Sequence, residues 1–241
     1  MTTEEILLHY AELYCAPAYF EEDPIIFPKH FADLYKKEKA TLQDVEISGL
    51  LAAHLAWGRR SMIVRDCRRM FDEMEWQPLR YIENGRFRSD HVSLHRTVMW
   101  SDFAGICRAM KTFYCEEGNP SVEKLSPDDI RVRIFCQKSD PKAACKKIHM
   151  FRRWMVRDDG IDLGIWHETS PSDLVIPLDV HVHDTARALG LTKRCSADFS
   201  TAREITDRLA EIFPGDPLKG DFALFGYGVT HKDAKGIVDK I

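Results

Sequence analysis

Residues 176–191 decide how this chain folds: Ile176-Pro177-Leu178-Asp179-Val180-His181-Val182-His183-Asp184-Thr185-Ala186-Arg187-Ala188-Leu189-Gly190-Leu191. Pro177 fixes φ and suits a chain about to enter a helix. Asp179 follows at the expected first turn, where free N–H groups and the positive dipole end hold a carboxylate ionised and aimed at a fixed spot. A group so placed can act on a developing positive charge, and from spacing alone it can equally be an N-cap.

The segments on either side also read as helices. Thr2-x-x-Glu5 is a capping box opening Ile6–Tyr14, and the Pro-rich connector Asp23–Pro28 leads to a short helix near His30–Lys37. Val45–Trp57 is strongly apolar and stops at Gly58, and Ser61–Met74 carries an apolar side. Ser101 is read as the cap of Phe103–Cys115, and Ser126-Pro127 opens a helix through Phe135. Lys142–Arg157 is helical, a loop follows to Ser172, and Thr201-x-x-Glu204 reads as a second capping box opening a helix to Phe213. Pro217–Tyr227 is expected to stop at Gly226-x-Gly228, before a tail helix ending at Ile241. Strand alternation is almost absent, and Asn84-Gly85 lacks alternating flanks. The expected fold class is all-α.

Composition bounds the rest. At 241 residues the chain can bury a full core, as one domain or two. It has no apolar run of membrane-spanning length, and Met1-Thr2-Thr3-Glu4-Glu5 is not a signal peptide, so a cytoplasmic location is expected. Seven scattered cysteines without C-x-x-C read as reduced thiols rather than disulfides, zinc or an iron–sulfur cluster. A net charge of −4 argues against a chain that is basic all over, but not against a local basic face.

Lys142–Arg157 offers such a face, with six Lys and Arg residues and no acid, a stripe able to track a phosphate backbone. The arginines at 59, 60, 65, 68 and 69 have Asp66, Asp72 and Glu73 nearby, so surface pairing is expected there. A lysine with a carboxylate suggests cleavage of an N-glycosidic bond: the carboxylate stabilises oxocarbenium character, and the amine forms a Schiff base at C1′. Lys146 and Lys147, beside each other and near Arg152 and Arg153, suit an amine of depressed pKa. Trp57 and Trp166 could stack on an extruded base or pack in a core. His54 reads as a core histidine. His181 and His183 lack a third metal ligand of matching spacing, and Cys145 lacks a His or Asn partner.

Pro177-x-Asp179-x-His181-Val182, followed by Arg187-x-Leu189-Gly190-Leu191, resembles the segment after the hairpin in helix–hairpin–helix (HhH-GPD) DNA glycosylases. The likeness covers roughly 142–230. It is nearest to the archaeal-type 8-oxoguanine DNA glycosylases, whose hairpin lysine is followed by Phe and Met as Lys147 is by Phe151 and Met155. A related uncharacterised bacterial family carries K-x-x-x-M-F-x-R-W-M-V-R, which makes Lys146 the hairpin lysine instead.

The resemblance implies two helical subdomains flanking a cleft: 26–157 as a central bundle ending in the hairpin-like helix, and 1–25 with 158–241 carrying the catalytic carboxylate. It implies Asp179 with Lys147 or Lys146 as catalytic residues and Asp221 and Phe225 around the base, to which the stacking reading of Trp57 adds a third pocket residue. Lys142, Arg152, Arg153 and His181 would lie along the DNA backbone. The partner would be duplex DNA containing a damaged base, met by a monomer with no cofactor, metal or cluster. The activity implied is excision of an oxidised purine such as 8-oxoguanine, with an AP-lyase step through the lysine.

Three features depart from the pattern, one being Asp184, which stands where an Arg is often found three residues after the His. Lys142-Ala143-Ala144-Cys145 stands where the hairpin glycines (L-P-G-V-G-x-K) are usual, and the cluster-binding cysteines of endonuclease III-type enzymes are missing. A non-catalytic DNA-binding module and a helical scaffold for protein contacts remain open beside the enzyme.

Overall fold

The computed structural model describes residues 1–232, whose regular structure is eleven α-helices, two short 3-10 helices, one π-helical turn and one two-stranded sheet. The chain is thus mainly helical, as its periodicity requires. The expected tail helix to Ile241 lies outside the described residues. No helix among them is long and apolar enough to cross a membrane. Contacts divide the chain into two compact units, Glu22–Asp140 and Met1–Glu21 with Pro141–Ile241.

The Glu22–Asp140 unit is built on α3 (Leu42–Leu55), which packs against α2 (Ile26–Tyr35), α4 (Arg60–Glu73) and α5 (Pro78–Asn84). Buried residues run continuously from Val45 to Ala53, as a helix enclosed on all sides requires. Thr41 and Asp44 form its capping box, and Asp44 Oδ1 also accepts from the Leu79 N–H at 2.9 Å, fixing the start of α5. Glu46 is wholly buried and accepts from Tyr114 Oη, Ser121 Oγ and the Val122 N–H. It thereby pins the chain that follows α6 (Trp100–Lys111) and its π-helical extension Thr112–Glu116. The cap of α6 differs from expectation: Asp102, not Ser101, closes it by accepting from the Met99 N–H. The unit ends with α7 (Pro127–Arg133).

A short hairpin escaped the sequence reading. β1 (Ser93–His95) pairs antiparallel with β2 (Val98–Met99), with His95 opposite Val98. It is too short to show alternation, and its turn residue Arg96 takes φ 54° without a glycine signal. Gly85, whose Asn-Gly pair lacked alternating flanks, ends α5 in the left-handed region at φ 68°.

The other unit joins α1 (Thr3–Tyr14), α8 (Lys146–Val156), α9 (Val180–Ala188), α10 (Phe199–Ile212) and α11 (Lys219–Lys232). Its core includes Leu7, Ile176, Leu178, Val182, Ile205, Leu209 and Leu224. The boundary therefore lies near residue 140 rather than after 157, and α8 belongs with the Asp179 segment. A physical reason is visible at the end of α8. Residues 161–166, expected as loop, fold back on it: the Leu163 N–H reaches Trp154 O at 2.8 Å, and the Ile165 and Trp166 N–H groups reach Met155 O. The last carbonyls of α8 are thus satisfied while Ile161, Leu163, Ile165 and Trp166 are buried.

Two expected boundaries shift. Asp198, not Thr201, caps α10, and its carboxylate accepts from the Thr201 N–H at 2.9 Å. Gly226 and Gly228 lie inside α11 and do not stop it. A Cβ at Gly226 would collide with the Tyr14 ring, and one at Gly228 would sit 2.9 Å from Thr185 Oγ1. These glycines let α1 and α9 pack closely on α11.

Candidate active site

The site grows from the anchoring of Asp179. Ile176 and Leu178 are buried, and the Ile176 N–H donates to Thr206 Oγ1 at 3.0 Å, so the extended chain is fixed as it leaves the core. Asp179 itself is extended (φ −116°) and is the N-cap of α9, with Oδ1 accepting from the Val182 N–H at 2.9 Å. That leaves Oδ2 for another partner, and Lys146 Nζ lies 2.8 Å from it. The two side chains are 37% and 29% exposed, so an incoming group can reach the pair. Burial alone pushes the Asp179 carboxyl upward. The Lys146 charge, its hydrogen bond and the Val182 N–H outweigh that and hold the group below the usual carboxylate range.

Lys146 is the first residue of α8, and Cys145 before it adopts φ 42°, ψ 40°, the left-handed region that glycine takes readily. One left-handed residue therefore precedes α8 although the sequence places a cysteine there and no glycine. The Ile148 and His149 N–H groups close on Cys145 O, and the Phe199 N–H holds Lys142 O at 2.9 Å. Lys147 is half-buried. Burial first, and the Lys146 charge second, bring its amine down to about 8. At pH 7 about a tenth of such an amine is neutral and nucleophilic.

Asp221, near the start of α11, joins this group: its carboxyl is raised by burial and feels the charges of Arg153, Asp179 and Lys146. Its Oδ2 accepts from Arg153 Nη1 at 2.7 Å, so it points inward to an ion pair. Phe225, one turn on, is 40% exposed.

Arg153 requires a correction. Expected along a DNA backbone, it is buried, bonded to Asp221, with Nε 3.4 Å from Asp162. Arg157 is buried likewise, paired with Asp159, Asp162 and, through two nitrogens, Asp216. The Phe222 ring centroid lies 4.7 Å from the Arg153 guanidinium carbon and 4.9 Å from that of Arg157. The basic run of α8 is therefore partly internal, neutralised by aspartates from 159 to 221. Sequence reasoning missed this network because its acids lie outside the run. The available signal was Arg153-x-x-x-Arg157 on the apolar side of a helix, with Asp159 and Asp162 just after it.

Of the other expected backbone contacts, Lys142 and His181 are exposed and Arg152 is half-buried. Trp57 belongs to the Glu22–Asp140 unit, edge-on to His95 at 5.8 Å and beneath the Arg96 guanidinium at 4.3 Å. Trp166 is core, packed edge-on against Phe151. His54 stacks on Phe135 at 4.7 Å. His183 is buried with Nε2 3.0 Å from Arg194 O. Among the described residues, no group of three or more His, Cys, Asp or Glu side chains is placed to hold a metal ion.

A carboxylate kept ionised, an ammonium in contact with it and a second amine of low pKa can together stabilise positive charge and supply a nucleophile. A family model described as Protein of unknown function (DUF2400) matches residues 23–129 and 119–230. No curated protein and no solved structure matches the chain.

Proposed function

The chain belongs to the DUF2400 family, and we propose that it is a DNA base-excision glycosylase of the helix–hairpin–helix kind, acting on an oxidised purine such as 8-oxoguanine in duplex DNA. The observation that carries this reading is the contact of Lys146 Nζ with Asp179 Oδ2 at 2.8 Å, beside the low-pKa amine of Lys147.

In this reading Asp179 stabilises the positive charge that grows at the sugar as the C1′–N bond breaks, and the base leaves with the bonding pair and takes up a proton. The neutral amine of Lys146 or Lys147 gives its lone pair to C1′, and ring opening yields an iminium. Loss of a C2′ proton then expels the 3′ phosphate, the AP-lyase step. The exposed ring of Phe225 offers an extruded base a stacking surface. Asp221, turned to Arg153, contributes charge rather than a base contact.

Borohydride trapping tests this on duplexes containing 8-oxoguanine or an abasic site. Hydride reduces the iminium carbon and leaves a permanent secondary amine. The expected result is a covalent adduct that the K146A/K147A double variant loses, with the single variants naming the nucleophile. No adduct and no base release from a panel of oxidised purines would overturn the enzyme reading. Base release that persists in the double variant would remove the lyase step alone.

A second reading is a non-catalytic DNA-binding module of the same fold. It is favoured by Asp179 spending Oδ1 on the cap of α9 and Oδ2 on Lys146, a bracket between two helix N-termini. It predicts DNA affinity unaffected by Asp179→Asn and no base release.

A further inference from the structure

The Glu22–Asp140 unit carries a concentration of arginines that the site above does not use. Arg59, Arg60, Arg65, Arg68 and Arg69 lie on α4 or just before it, and Arg96 sits at the hairpin turn. In residues 57–71 and 93–99 the sole acid among them is Asp66, in a chain of net charge −4.

The sequence suggested that nearby acids would pair off this charge, and they do so in part: Asp66 takes Arg65 and Arg69, while Asp72 and Glu73 turn elsewhere. Helix α4 turns Ile63, Asp66, Cys67, Met70 and Phe71 into the core. Asp66, 1% exposed, binds His95 Nδ1 at 2.8 Å through one oxygen and Arg65 Nε at 2.8 Å through the other. Arg69 reaches the same oxygen at 3.4 Å and also donates to Leu94 O. Asp72 accepts from Trp76 Nε1, and Glu73 faces Arg88. Arg59 and Arg68 are exposed.

Arg96 is held in place rather than waving. His95 spans Asp66 and the Trp57 carbonyl oxygen, 2.9 Å from its Nε2, and so latches the hairpin to the start of α4. The Arg96 guanidinium stacks 4.3 Å from the Trp57 ring centroid. Gly58, at φ 107°, leaves the room this needs: a Cβ there would lie 2.6 Å from Arg96 Nη1. The result is a preset basic face with a planar guanidinium–indole stack at one end.

We propose that this arginine face binds the phosphodiester backbone of nucleic acid. The choice of polyanion rests on the DNA-directed reading above. Guanidinium groups at several points along a helix and a neighbouring turn match a polymer with a charge at every residue, and planar forks suit phosphate oxygens. The other basic run of the chain, on α8 and just after it, has turned Arg153 and Arg157 inward, so it presents less charge to solvent than its sequence suggests.

The test is anisotropy titration of the full chain with a labelled duplex carrying an abasic-site analogue, across a salt series. R59Q/R68Q/R96Q is expected to weaken binding about tenfold or more and to lower the log–log salt slope by about 2–3. The R203Q/R208Q control removes two exposed arginines of α10 and is expected to leave both nearly unchanged. R59Q/R68Q, which spares the hairpin, is measured separately so that a folding fault at Arg96 cannot imitate the result.

Wild-type affinity and slope in R59Q/R68Q and the triple variant would overturn the proposal. So would equal losses in the control, or arginine-dependent binding of a polyglutamate peptide with none of duplex. Arginine-dependent affinity with neither borohydride trapping nor base release would retire the glycosylase reading and leave this surface standing. Trapping with arginine-independent affinity would do the reverse.

Discussion

Lys146 Nζ and Asp179 Oδ2 meet at 2.8 Å, joining the first residue of α8 to the N-cap of α9. Asp179 therefore has two roles that one substitution separates. In Asp179→Asn the amide oxygen still accepts from the Val182 N–H, while the charge is lost. Stability should fall by less than about 1 kcal/mol, since the pair is about a third exposed. Base release should fall by roughly a hundredfold or more, the usual scale for removing an electrostatic stabiliser. Thermal melts and single-turnover excision assays read the two separately.

Acid should weaken the wild-type fold through the same carboxylate. Its folded pKa lies below the ordinary 3.8, held there by Lys146 and the Val182 N–H against the opposing effect of burial. The unfolded chain then binds the proton first as pH falls. The contribution is fully present above the unfolded value and is lost as pH falls through the lower folded one. Urea unfolding from about pH 5 to pH 2 should show a steeper loss for wild type than for Asp179→Asn. Parallel curves would refute the assignment.

Lys147 titrates in the other direction. Burial and Lys146 bring its amine from 10.5 to about 8 in the folded chain, so the unfolded chain binds more protons between these values. Its charge is therefore a cost below about pH 8, relieved as pH rises toward about 10.5. Lys147→Met should stabilise the fold at pH 7 by on the order of 1 kcal/mol, the shift being discounted for partial exposure. The gain should shrink by pH 10, and a gain independent of pH would point to packing instead.

Arg157 neutralises Asp159, Asp162 and Asp216 from within the core. Burial raises the Asp162 carboxyl to about 6 even with both arginines beside it. Arg157→Ala should cost about 3–5 kcal/mol, because it leaves buried carboxylates uncompensated. Chemical denaturation measures this, and a loss below about 1 kcal/mol would mean that water already reaches the network.

Gly226→Ala should destabilise by about 1–3 kcal/mol, since the new methyl group meets the Tyr14 ring where α1 crosses α11. The ring is a movable neighbour, so Tyr14→Ala in the same chain should recover part of the loss. A double-mutant cycle without coupling would show that the helices shift apart instead.

The helices were legible because their signals are local. Thr2 with Glu5 forms the expected capping box, and Ser126 caps α7 as read. Signals that depend on a neighbour in space misled. Gly226 and Gly228 resemble a helix stop in one dimension and prove to be crossing points in three. Thr201 resembles a cap, yet Asp198 claims its N–H.

The sequence by itself determined a mainly helical chain and an ionisable carboxylate at a helix entrance, because periodicity, proline and capping act over a few residues. It also brought forward two adjacent lysines without separating their roles. Tertiary structure alone set Lys146 against Asp179 and half-buried Lys147, since that depends on which side of α8 meets α9. It likewise sent Arg153 and Arg157 inward to aspartates from distant segments and left Arg59, Arg68 and Arg96 at the surface. Charge counted along a chain is blind to this. The energy of an ion depends on its distance to a partner and on the water around it, and packing fixes both.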